Sequence, residues 1–201
     1  MKSPLHFNAV LCLKCLLCGL WMMGGGGEAV HGAVTLTGTT YSETFTIGTS
    51  ATASLPTDWK MTAAGDTTVS WSDGTNVTAT TQAASTGSPT TGGRYNWGNS
   101  GDTTDRAIGF MTSGGYAEPN SILANFQNNT GSTITDINFS FDLERYRTNT
   151  SGLTVRFYYS TDGATWGTAL DSYAWSTGTN AYDFTPTAGE GSEQARTATL
   201  V

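Results

Sequence analysis

The chain has 201 residues, a net charge of −7 and only 12% charged residues, against about 25% in an average globular protein. The acidic balance excludes a nucleic-acid-binding role, which needs a basic footprint to neutralise phosphates, and docking onto an anionic membrane surface. The length suits one domain, and no amphipathic run with a helical period is present.

Residues 1–33 differ from the rest. Lys2 and Lys14 supply positive charge, Cys15–Met23 is a short apolar core preceded by Ala9–Leu13, and small residues follow around Gly32 and Ala33. This is the layout of a secretory signal peptide, cut after Gly32 or Ala33, and the apolar core is shorter than the ~20 residues of a membrane span. Cys12, Cys15 and Cys18 have iron–sulfur-like spacing, but the fourth ligand is missing and they sit inside the apolar leader. No small residue precedes any of them, as a lipoprotein signal would require. Both histidines, His6 and His31, also fall in this stretch. A chain starting near residue 34 therefore has neither Cys nor His, which rules out disulfides, thiol nucleophiles and Ser-His-Asp catalysis.

Short strands are expected from there on. Val34–Leu36 starts the first, and Tyr41–Ile47 alternates Tyr, Phe and Ile with Glu43 breaking the apolar face. A turn at Leu55–Asp58 leads into a strand through Trp59 and Met61, and Thr67–Trp71 and Asn76–Thr80 flank the Asp73-Gly74 turn. Residues 82–93 read as a polar loop. Arg94–Gly98 puts Tyr95 and Trp97 on one face. Arg106–Met111 puts Ala107, Gly109 and Met111 on one side and Ile108 and Phe110 on the other, the pattern of a strand buried on both faces. Ile122–Phe126 follows.

The best-patterned stretch is Ile134–Trp166. Ile137, Phe139, Phe141 and Leu143 alternate with polar residues, as do Leu153, Val155, Phe157 and Tyr159. These read as a hairpin closed by the polar loop 147–152, with Glu144 opposite Arg156 outside and Phe141 opposite Tyr159 inside. Ser160–Gly163 then turns the chain toward Trp166. Ala169–Trp175, Tyr182–Phe184 and Ala195–Val201 are the last strands. The final one has no later partner, which suggests a fold lacking its last strand or strands. Many short strands separated by turn signals imply an all-β, antiparallel β-sandwich of jelly-roll type over residues 34–201.

Several constellations can carry function. Tyr146 and Tyr158 fall on the polar parity of the hairpin and, with Arg156 and Glu144, form a candidate ligand-binding face. Trp59, Trp71, Trp97, Trp166 and Trp175 offer further stacking surfaces or core. Asp142 and Glu144 lie about 6.5–7 Å apart along one strand face, near the separation of a glycosidase carboxylate pair. The neighbouring arginines would lower their pKa values, the wrong direction for a general acid. Asp102 and Asp105, with Asn99 and Ser100, can supply oxygens to a structural Ca²⁺; no other cofactor is expected. Asn76, Asn128, Asn138 and Asn149 open glycosylation sequons.

The segments Gly93–Gly98, Asp105–Gly109, Phe126–Gly131, Asp142–Arg147 and Tyr159–Gly163, followed by Trp166, resemble β-sandwich modules of secreted bacterial multidomain proteins, of the PEP-CTERM or autotransporter-associated kind. The resemblance covers roughly residues 41–201 and carries structural motifs only. It implies an exported, secreted or cell-surface module with no catalytic residues. Its partners would be an extracellular polysaccharide or a surface protein, with no nucleic acid and no membrane insertion of the mature chain. A carbohydrate-binding module is the alternative, and a carboxylate-based glycoside hydrolase a further one.

Overall fold

The computed structural model describes residues 6–9, 33–38, 40–50, 52–62, 69–71, 82–84, 91–99, 101–104, 106–111, 120–161, 163, 165–183 and 193–200. Among these, the regular structure is all strand, with no helix. The strands are β1 (His6–Ala9), β2 (Val34–Leu36), β3 (Trp59–Thr62), β4 (Gln82–Ala84), β5 (Gly93–Trp97) and β6 (Ala107–Met111). They continue with β7 (Ser121–Ala124), β8 (Phe126–Asn128), β9 (Ile137–Glu144), β10 (Leu153–Phe157), β11 (Asp171–Trp175) and β12 (Glu193–Leu200). The sheets are small: β1-β9-β12, β10-β11, β2-β8, β3-β7 and β4-β5-β6. Most pairings are antiparallel, but β2 with β8 and β4 with β5 run parallel.

β9 is the longest interior strand, and its alternation is as expected: Ile137, Phe139, Phe141 and Leu143 are buried while Asn138 and Ser140 are exposed. Its partners are not. It pairs along its whole length with β12, Ile137 opposite Leu200 and Glu144 opposite Glu193. On its other edge lies β1, from within the stretch read as an export leader, with His6 opposite Glu144. The final strand therefore has a partner that precedes it in the chain.

The expected β9–β10 hairpin does not form. β10 takes β11 instead, setting Leu153 opposite Trp175 and Arg156 opposite Ser172. β10 contacts β9 through its side chains: the Phe157 ring lies 5.0 Å from Phe139 and 5.2 Å from Phe141. Asp183 N–H donates to Tyr146 O, Thr148 N–H to Ala181 O, and Gly178 N–H to Asn149 O, so residues 146–149 run against 178–183.

One ion pair ties the two sheets. Arg196 on β12 grips Asp171 on β11 through both carboxylate oxygens, at 2.8 and 2.5 Å. The bidentate hydrogen bond from Arg196 holds the Asp171 carboxyl below its ordinary value. A depressed carboxyl stabilises the fold above its unfolded pKa, and that stability is lost as pH falls through the folded pKa. Arg196→Met should therefore lower stability at neutral pH and leave it less pH-dependent on the acid side, below about pH 4. Urea midpoints measured across pH check this; parallel acid limbs for both proteins would sink it.

The predicted strand at Tyr41–Ile47 is not one. Glu43 Oε1 accepts from Phe45 N–H at 2.8 Å and Oε2 from the Tyr41 hydroxyl, which in turn accepts from the Trp59 indole. A side chain that captures its own backbone competes with a strand ladder, and Phe45 sits at φ 50°, outside strand geometry. Phe45 is nonetheless fully buried, edge-on to Trp59 at 4.8 Å. The predicted strand at Thr67–Trp71 is likewise absent where described, since Val69–Trp71 form no strand. Asn76–Thr80 lies outside the described residues. Residues 82–84, read as loop, form β4.

Two cores result. The larger gathers Phe45, Trp59, Met61, Phe126, Phe139 and Phe141 with their neighbours. The smaller comprises Tyr95, Trp97, Ala107, Met111 and Tyr146. β6 lies between them, giving Ile108 and Phe110 to the first and Ala107 and Met111 to the second, as its two-sided pattern predicts.

Candidate functional site

The smaller core is built from an aromatic stack. Trp97 lies 4.6 Å from Tyr95 and 5.4 Å from Tyr146, with interplanar angles of 25° and 22°. Burial pushes the Tyr95 hydroxyl up to about 12, with Tyr182 nearby adding to the effect. The expectation that Tyr146 is exposed is thus overturned: it has no solvent-accessible surface. Glu144, the last residue of the strand, is already buried, so the parity that leaves Asp142 partly exposed has failed before Tyr146.

Arg147 closes this core. Its guanidinium is 2% exposed and donates from Nε and Nη2 to Asn180 Oδ1, at 2.8 and 2.6 Å. It also stands over the Tyr182 ring at 4.9 Å and approaches Met111 Sδ. Arg106, 1% exposed, plays the same part elsewhere. It donates to Asn96 O, Asn96 Oδ1 and Asn99 O, while the Asn96 amide donates to Gly48 O and Ser50 O. These side chains spend their donors on the chain's own carbonyls and amides. They tie loops to strands.

The remaining candidate residues are dispersed. Glu144 is 5% exposed and lies opposite Glu193, not opposite Arg156. Arg156 is exposed on β10, across from Ser172, and Tyr158 is half-buried just beyond that strand. The face expected from Tyr146, Tyr158, Arg156 and Glu144 therefore loses Tyr146 to the core, and its Glu144–Arg156 pairing is replaced by two separate ladders. Phe141 likewise faces Arg196, not Tyr159.

Asp102 Oδ1 accepts from both Thr104 N–H and Thr104 Oγ1 at 2.8 Å, an ordinary turn cap. Asp105 lies outside the described residues. Among the described residues, no three His, Cys, Asp or Glu side chains gather as a metal-binding group. No helix among them is long and apolar enough to cross a membrane. Of the sequon asparagines, Asn149 is 8% exposed, Asn138 is exposed and accepts from Thr199, and Asn128 caps a turn; Asn76 is not described.

The tryptophans divide. Trp59, Trp97 and Trp175 are 3%, 0% and 5% exposed and belong to the cores. Trp71 and Trp166 stay half-exposed, at one junction of two segments far apart in the chain. Trp71 N–H donates to Gly163 O at 2.9 Å, and the Trp166 indole N–H donates to Val69 O at 2.6 Å. The 160–163 turn, held by Gly163 N–H on Ser160 Oγ with Gly163 at φ 72°, therefore docks on Trp71. Lys60 Nζ donates to Trp71 O at 3.0 Å and lies 4.2 Å from the centre of the Trp71 ring. Burial lowers the Lys60 pKa, with Asp58 working the other way. The sequence shows both tryptophans but not that their segments meet; its one local signal is Lys60, the single lysine beyond Lys14.

No protein family matches the chain, and no curated protein or solved structure does so either.

Proposed function

We propose that the chain is an exported, non-catalytic module of a secreted or cell-surface protein, a jelly-roll-like β-sandwich with a structural or adhesive role. The observation that carries this reading is the use of the buried charge. Arg106 and Arg147 bind backbone carbonyls and asparagine side chains, and Arg196 binds Asp171 across two sheets. Groups that catalysis would hold ready are here committed to holding loops and layers in place. The ring contacts between β9 and β10 support the sandwich, because Phe157 packs on Phe139 and Phe141. The leader layout of residues 1–33 supports export. Its removal would take β1 away and leave β9 with its longer partner, β12.

Two measurements test the reading. The protein recovered from the outside of the producing cell should begin at Ala33 or Val34 by N-terminal mapping; a mature chain beginning at Met1 would refute export. The purified protein should release no reducing sugar from a panel of polysaccharides. Hydrolysis that Glu144→Gln abolishes would replace this reading with a carboxylate glycosidase.

A further inference from the structure

We propose that the Trp71–Trp166 junction is a binding site for a neutral polysaccharide. The proposal rests on the reading of the chain as an exported module and gives that module a ligand.

A pyranose ring offers an apolar face of C–H groups and a rim of hydroxyls. Sites for it combine aromatic faces held in fixed orientation with a few polar groups at their edge. The junction has these parts. The Trp166 ring is held by its indole bond to Val69 O, the Trp71 backbone is held by its bond to Gly163 O, and Lys60 Nζ stands 4.2 Å from the centre of the Trp71 ring, so ordering these groups costs a ligand little. Both remain half-exposed, whereas Trp59, Trp97 and Trp175 are buried.

Lys60 supplies the polar edge. On β3, Trp59 and Met61 turn into the core, so Lys60 turns the other way, toward Trp71. Its ammonium has three donors, one of them given to Trp71 O. Asp58, two residues before Lys60 in the turn that leads into β3, acts on the Lys60 charge and adds an acceptor. Donor and acceptor together suit hydroxyls.

Charge decides the class. A net charge of −7 repels a polyanion, and the Lys60 charge is offset by Asp58. A neutral sugar chain pays no such penalty.

The test is affinity electrophoresis of the exported protein in native gels containing hydroxyethylcellulose, soluble starch or polygalacturonate. The expected result is retardation by at least one of the two neutral polymers. Trp166→Ala should weaken it about tenfold or more, as loss of an anchoring aromatic does. Lys60→Gln, which removes the ammonium and keeps a polar side chain, should weaken it about two- to tenfold. Thermal midpoints establish that each variant is folded, and Trp166→Phe keeps a ring in place should the alanine variant unfold. Mobility unchanged by both neutral polymers overturns the proposal. So does retardation that survives Trp166→Ala in a folded protein, or retardation by polygalacturonate alone. None of these results depends on where the N-terminus is cut, so failure here is separable from failure of the export reading.

Discussion

Trp97→Ala should lower the unfolding free energy by about 3–5 kcal/mol, the cost of truncating a fully buried large aromatic. Trp97 is 0% exposed and stands between Tyr95 and Tyr146 in a near-parallel stack. Alanine would leave a cavity lined by two tyrosine rings, and those rings would lose their partner as well as their contact area. Typical domains have only 5–15 kcal/mol in total, so the variant would be near the limit of folding at 37 °C. Trp97→Phe should be much milder. It keeps most of the ring and removes an indole N–H that is buried with no hydrogen-bond partner among the described residues. Urea denaturation of both variants checks the pair of expectations. Equal losses would mean that the stack is not what Trp97 contributes.

Arg147→Ala is the second large effect, a loss of about 3 kcal/mol. The guanidinium makes two hydrogen bonds to a single acceptor, Asn180 Oδ1, and such charge-assisted contacts are worth about 1.5–3 kcal/mol. Truncation also removes the cation from above the Tyr182 ring and leaves Asn180 without its donor. Arg147→Lys should restore little, because an ammonium cannot reproduce the planar fork. A double-mutant cycle with Asn180→Ala isolates the pair and should return a coupling of about 1–3 kcal/mol. A coupling near zero would show that Arg147 acts through packing on Tyr182 and Met111 instead.

These two sites differ in how far the sequence reveals them. Tyr95 and Trp97 share a face by simple alternation, and β6 announces itself as buried on both sides. Arg147 does not. It follows a strand whose parity stops at Glu144, inside a stretch of Thr, Asn and Ser that reads as an exposed loop. Nothing local says that the loop runs against residues 178–183 and goes under cover. Tyr146 reads as a surface residue for the same reason, because strand parity does not hold beyond Glu144. Glu43 shows the opposite case. The break it makes in the alternation of residues 41–47 is visible in the sequence, and its cause is the carboxylate bond to Phe45 N–H.

The sequence by itself determined the all-β character, the inward face of β9 and β10, the scarcity of charge, and the confinement of Cys and His to the first 31 residues. These are properties of composition or of a two-residue period, and neighbouring residues are enough to express them. Only the tertiary structure decided that β9 pairs with β12, that β10 pairs with β11, which tryptophans enter the cores, and that two arginines are buried. Partner choice depends on which backbones meet and what their meeting covers. The bond from Trp166 to Val69 spans 97 residues of chain, a distance over which no periodicity carries information.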